Sequence, residues 1–322
     1  MKADTISMVE AAYDLEAPER SWLQALVEHA IPLVPDATRG AAFALDASKP
    51  KAPKLGLPVG VGVEDQFALE LLRAMEADAD LARYFKRKVA TASEVLGTSK
   101  IGGHPLGDFV LTYGAPDSFG CVALDAEGRG VVITTDLSRV RGLSRALRAR
   151  WELIGAHVAS ANRLRGRSPE GMRDECVLEP GGRIAHAEGD AVARDTRDKL
   201  RAAVVARDRA RTRAVRTRAE EALALWPGLV SGRWSLVDRF ERDGRRYVVA
   251  KCNEPVPTGP LALSLRERQV LGHLVQGDSL KLTAYSLGLA PSTVSSIAQS
   301  VRLKLRVRSI GELPRLASSK GA

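Results

Sequence analysis

The sequence predicts an α+β chain closed by an all-α module of three short helices. Between Gly40 and Ala250, strand-like runs bounded by Gly/Asp turns alternate with helical stretches, whereas from Leu263 onward apolar residues recur only at helical spacing. The prolines of Asn253-Glu254-Pro255-Val256-Pro257-Thr258-Gly259-Pro260 hold the chain extended between the two regimes. The expected organisation is an α+β region over residues 1–167, a small α+β module over 174–253, a Pro-rich linker over 254–262 and a helical module over 263–322.

The first region opens with a helix holding Trp22, Leu23, Leu26, Val27 and Ile31, followed by a strand at Gly40–Leu45 and a Pro/Gly-rich loop from Lys49 to Gly62. Helices are expected over Glu64–Glu76 and Asp80–Leu96. Phe109–Tyr113, Gly120–Leu124 and Val131–Thr134 read as three strands, with a hairpin turn at Asp125-Ala126-Glu127-Gly128, and a long helix, Leu143–Leu164, closes the region. The second module begins with Cys176–Leu178 and Arg183–His186 joined by Glu179-Pro180-Gly181-Gly182, a hairpin signal. Helical sequence fills Ala191–Leu225, and Trp234–Val237 and Tyr247–Ala250 flank a second hairpin turn at Arg242-Asp243-Gly244-Arg245. In element order the first region is similar to the GAF-type sensor fold and the second to a PAS-like module. If the first is a sensor, its sheet face and central helices enclose a pocket for a small-molecule or protein signal.

In the helical module, Ser264 is placed to cap the first helix, with Glu267 three residues on to return the bond. Val270, Leu271, Leu274 and Val275 form the core stripe, and Gly277 closes the helix. A second helix runs from Ser279 to Leu287 and ends at Gly288. Pro291 suits the first position of a third, Ser292–Arg306, because its missing amide hydrogen would be unpaired there anyway. On that helix Val294, Ile297, Ala298, Val301 and Leu305 share the packing face, while Ser295, Ser296, Gln299, Arg302 and Arg306 point outward. Hydroxyl, amide and guanidinium groups so arranged suit phosphates and base edges in a major groove. Ser309 and Glu312 signal a fourth helix that Pro314 interrupts, and Leu303 points away from the module's own core.

Arg266-Glu267-Arg268-Gln269-Val270-Leu271, Gly277, Ser279, Lys281, Ala284, Leu287-Gly288, Thr293-Val294 and Lys304-Leu305-x-Val307 resemble the LuxR-type helix-turn-helix, over about a fifth of the chain. The resemblance implies a DNA-reading module in which Lys281, Ser292, Thr293, Ser295, Ser296, Gln299 and Arg302 contact double-stranded DNA as a homodimer. It also marks departures. Ser295 and Ile297 stand where the family carries lysine and histidine, Leu280, Leu282 and Thr283 replace its usual second-helix residues, and Ala290 occupies the place of a capping serine. Losing a cationic phosphate contact weakens DNA affinity and flattens its salt dependence.

Charge agrees with that placement. From Leu261 to Ala322 nine cationic side chains face three anionic ones, so most of the chain's net +9 lies in this segment. A second basic crowd, Arg197–Arg218, reads as solvated helix. Cys121, Cys176 and Cys252 are too dispersed for a disulfide framework or a zinc site and read as buried thiols. The five histidines, His29, His104, His157, His186 and His273, show no metal-ligand spacing, and neither a phosphate-cradling glycine loop nor a nucleophile elbow occurs. No apolar run is long enough to span a bilayer, and Met1-Lys2-Ala3-Asp4 lacks a signal-peptide core, so a cytoplasmic protein is expected. The expectation is a non-enzymatic transcription regulator, without cofactor or metal, in which an α+β sensor region controls a DNA-binding module. RNA polymerase is a further partner that this reading admits. The alternative is a protein-binding regulator whose helix-turn-helix has lost DNA.

Overall fold

The computed structural model describes residues 4–49, 52–64, 66–167, 174–240, 245–255, 263–305, 307 and 309–312. They fall into two compact units, one of residues 1–124 with 128–162 and one of 125–127 with 163–322.

The first unit begins with α1 (Thr5–Ala12) and α2 (Glu19–Ala30), which the Trp22 indole ties together by donating to Ala12 O at 2.9 Å. Then come β1 (Gly40–Asp46), β2 (Lys54–Leu55), β3 (Val59–Val61), α3 (Phe67–Ala77), α4 (Ala82–Phe85), β4 (Val89–Thr91), α5 (Ala92–Leu96), α6 (Pro105–Thr112), β5 (Asp117–Leu124), β6 (Arg129–Leu137) and α7 (Arg145–Arg165). The strands form one antiparallel sheet in the order β2-β1-β6-β5-β4, with β3 also paired to β1. Side chains alternate across a strand, so β5 sends Phe119 and Cys121 to one face and Val122 and Leu124 to the other. On the first face α7 buries Trp151 against Phe119, with ring centroids 4.9 Å apart. Burial there pushes the Cys121 thiol up to about 12, as befits an inert core residue. On the second face Phe43, Val122 and Val132 meet Phe67, Leu71 and Met75 of α3.

Two expectations fail in this unit. Residues 109–113 are not a strand but the end of α6: Pro105 starts that helix, and Phe109 and Tyr113, one turn apart, both pack on the Phe67 ring at 5.1 and 4.8 Å. Period-two and period-four patterns cannot be told apart in so short an apolar run. Nor is Asp80–Leu96 one helix. Val89–Thr91 pairs with Phe119–Cys121 as an edge strand, and Thr91 then caps the short α5 in a reciprocal box with Glu94. The loop from Lys49 to Gly62 carries the two short strands β2 and β3, and α1 precedes the expected opening helix.

The second unit contains β7 (Asp174–Leu178), β8 (Ile184–Ala187), α8 (Arg194–Ala210), α9 (Arg213–Arg216), α10 (Ala219–Leu225), β9 (Trp234–Phe240), β10 (Arg246–Cys252), α11 (Leu265–Val275), α12 (Leu280–Leu287) and α13 (Pro291–Lys304). Four strands form an antiparallel sheet in the order β8-β7-β10-β9, with Leu200 and Val204 of α8 in its core. The first hairpin turn is as expected, Gly182 taking φ +85. Of the second, Arg242, Asp243 and Gly244 lie outside the described residues, as does most of the 254–262 linker.

The basic crowd on α8 is not simply solvated. Arg207 is 2 % exposed, makes a bidentate pair with Asp238 at 2.9 and 3.0 Å, and lies over the Trp226 ring at 4.3 Å. Arg211 adds a bond to the same carboxylate at 2.7 Å. Asp238 is held below its ordinary carboxyl value, because although burial pulls it upward the Arg207 guanidinium outweighs that.

Candidate nucleic-acid interface

The three closing helices pack as their apolar period requires. Val270, Leu271 and Leu274 of α11, Leu287 of α12, and Val294, Ala298 and Val301 of α13 form one core, with Ile297 and Leu305 at its edge. Each start and stop has a physical cause. Ser264 accepts from the Glu267 amide while the Glu267 carboxylate accepts from the Ser264 amide at 2.8 Å, a complete capping box. Ser279 caps α12 by accepting from the Leu282 amide, and Gly288 ends it at φ +61. Pro291 opens α13, where no side chain caps the helix because Ala290 has none to offer.

The sequence-predicted contact residues of α13 all lie outside its buried stripe of Val294, Ala298 and Val301. Ser292, Thr293, Ser296 and Gln299 of α13 are exposed, Ser295 and Arg302 half-buried, and Lys281 stands exposed on α12. Arg302 donates through Nε to Gln299 Oε1 at 2.8 Å, so these two side chains form a pair. The Ser296 hydroxyl donates back to Ser292 O at 3.1 Å. The uncapped first turn of α13 presents amides and the positive end of the helix dipole, an arrangement suited to a phosphate. Ile297 is half-buried against the core, which accounts for an apolar residue at a position where the family resemblance expects histidine. Leu303, at 66 % exposure, does point away from the core. Ile310–Glu312 forms a short 3-10 turn where a fourth helix was expected; Arg306 and Pro314 lie outside the described residues.

Four features of this module have no sequence signal that stands out. Glu267 is more than a cap: it also accepts from Ser300 at 2.5 Å and Lys304 at 2.7 Å, tying the start of α11 to the end of α13. Lys304, then Ser300 and the Ser264 amide, hold its carboxyl down to about 2. Arg266 donates to Ser231 O and to Gln269 at 2.8 Å, instead of facing solvent. Tyr285 of α12 places its hydroxyl 2.8 Å from Trp226 O and 3.0 Å from Leu223 O, at the end of α10. Leu229 belongs to the helical core itself, and a Cβ on Gly288 would fall 1.8 Å from Leu229 O. The segment from Leu223 to Gly232 is therefore built into the three-helix module.

Among the described residues no group of His, Cys, Asp or Glu could hold a metal ion, and no helix is long and apolar enough to cross a membrane. His273 instead pairs with Asp278 at 2.8 Å across the Gly277 turn, a buried structural contact.

Residues 261–317 match the family described as bacterial regulatory proteins, luxR family. The transcriptional regulatory protein FixJ of Azorhizobium caulinodans is 46% identical over 59 residues, which is 18% of this chain and 28% of that protein. With its caps, core and surface in place, the segment from 261 to 317 is a LuxR-family helix-turn-helix domain.

Proposed function

We propose that the protein is a DNA-binding transcription regulator in which an upstream α+β input region controls the LuxR-family domain. The observation that carries this reading is the outward face of α13, where Ser292, Thr293, Ser295, Ser296, Gln299 and Arg302 stand on a helix held by a fully packed three-helix core. Its mechanism is binding. With α13 in the major groove, Lys281 and the hydroxyls of Ser292, Thr293, Ser295 and Ser296 take phosphates, while Gln299 and Arg302 reach adenine and guanine edges. One short helix reads too few base pairs alone, so the working species is a homodimer on a pseudo-palindromic site in the cytoplasm, where RNA polymerase is its downstream partner. The embedded Leu223–Gly232 segment supports control from upstream, because the Tyr285 hydroxyl of α12 bonds Trp226 O in the stretch that leads into the second sheet.

A second reading, a protein-binding regulator without a DNA role, draws on Ser295, Ile297 and the exposed Leu303. Duplexes selected from genomic DNA and titrated at two salt concentrations separate the two. On the DNA reading, Gln299→Ala and Arg302→Ala each cost about 1–3 kcal/mol on the selected site, and Lys281→Ala lowers the salt slope by about 1. Weak binding that ignores salt, sequence and all three substitutions favours the protein-binding reading.

A further inference from the structure

The face of the first sheet that meets α3 and α6 does not close completely. A cavity of about 130 Å³ remains between them. Gly120 and Val122 of β5, with Val132 and Thr134 of β6, form part of its floor, and Phe67 and Met75 of α3 part of its roof. The floor is hollow at a definite place: a Cβ built on Gly120 would meet only Ala90 O, at 3.7 Å, within 4 Å.

Aromatic residues make up 5% of the chain, yet four of its six phenylalanines, Phe43, Phe67, Phe85 and Phe109, and two of its five tyrosines line this space. An apolar chamber of about 150 Å³ stays dry and accepts benzene, so the volume here matches one six-membered ring. Edge-to-face packing favours an aromatic ring over an aliphatic one of equal size among such neighbours.

The polar groups on the lining are mostly engaged. Thr134 donates to Phe119 O at 2.9 Å, Tyr113 donates to Glu70 at 2.8 Å, and Arg39 pairs with Asp136 at 3.3 Å. Arg87, exposed on the lining, has no carboxylate partner among the described residues. The charge left over at the site is therefore one guanidinium, which selects an anion and opposes a cation.

We propose that this cavity binds a small single-ring aromatic carboxylate, its ring among the phenylalanines and its carboxylate on Arg87. The proposal deepens, and rests on, the reading of the first region as a signal-input region. Benzoate, toluene and benzylamine are the probes, titrated calorimetrically into the full chain without DNA. Benzoate is expected to bind best and benzylamine worst. Arg87→Gln weakens benzoate about tenfold and leaves toluene unchanged, since a charge-assisted bond is lost while the ring's contacts remain. Gly120→Val places an isopropyl group in the hollow and abolishes binding of both, with the melting temperature held or raised because valine suits a strand. Ala41→Leu fills the same floor from β1 and serves if the valine variant does not fold. No binding of any probe, equal binding of benzylamine and benzoate, or undiminished binding in a folded filled variant overturns the proposal. The DNA titration is independent of these measurements: loss of ring binding with Gln299-dependent DNA binding intact rejects the ligand, and the reverse rejects the DNA reading.

Discussion

Removing the Glu267 carboxylate should unfasten the LuxR-family domain at one point, and its cost follows from the contacts. Replacing it with alanine removes the return bond of the capping box, worth about 1 kcal/mol. It also removes a charge-assisted bond from the Ser300 hydroxyl, worth about 1.5–2 kcal/mol. The ion pair with Lys304, whose side chain is 46% exposed, adds roughly 0.5 kcal/mol after solvent screening. Glu267→Ala should therefore destabilise the domain by about 3 kcal/mol, and Glu267→Gln, which keeps an acceptor for the Ser264 amide, by about half that. Hydrogen exchange of the α11 and α13 amides under increasing urea reads this locally, and a cycle with Ser300→Ala should give a coupling of at least ~1 kcal/mol. The acid dependence has a fixed sign. The folded carboxyl sits near 2, below its ordinary value of 4.5, so its contribution is complete above pH 4.5 and fades as the pH falls towards 2. Glu267→Gln should flatten the acid limb in that window. A loss below about 0.5 kcal/mol in the alanine variant, or an acid limb identical to wild type in Glu267→Gln, would refute the reasoning.

Gly288→Ala should cost about 3 kcal/mol and lower the melting temperature by roughly 6–12 °C, because alanine must adopt a left-handed backbone and press on Leu229 O; a calorimetric scan checks it. Asp238→Asn leaves the buried Arg207 guanidinium without its countercharge and should cost about 3–5 kcal/mol in urea unfolding. Because the Asp238 carboxyl is held below its ordinary value in the fold, wild type should shed that advantage as pH falls below the usual carboxylate range, and the Asn variant should not. Tyr285→Phe removes the hydroxyl that bonds Trp226 O and should weaken the domain's attachment by about 1 kcal/mol, read as faster exchange in α12.

The legible parts of this molecule are those whose signals are local. The capping box at Ser264 and Glu267, the left-handed Gly288, Pro291 at a helix start and the apolar period through Val301 each depend on residues within one or two turns, and each is realised. Where signals compete over a few residues, the outcome passes to packing. Phe109–Tyr113 has the apolar density of a strand, and only the ring of Phe67 beneath it makes helix the better solution. Val89–Thr91 has no period at all and becomes a strand because β5 offers an open edge.

The sequence by itself determined a C-terminal LuxR-family helical domain and the separation of helical from mixed architecture, since caps, turns and periodicity act over short range. The tertiary structure alone decided that Arg207 is buried on Asp238, that Glu267 joins α11 to α13, that Leu229 and Trp226 are built into the domain's foundation, and that scattered phenylalanines enclose a cavity. Those are meetings between residues far apart in the chain, and no local pattern encodes which distant partner a buried charge or an aromatic ring will find.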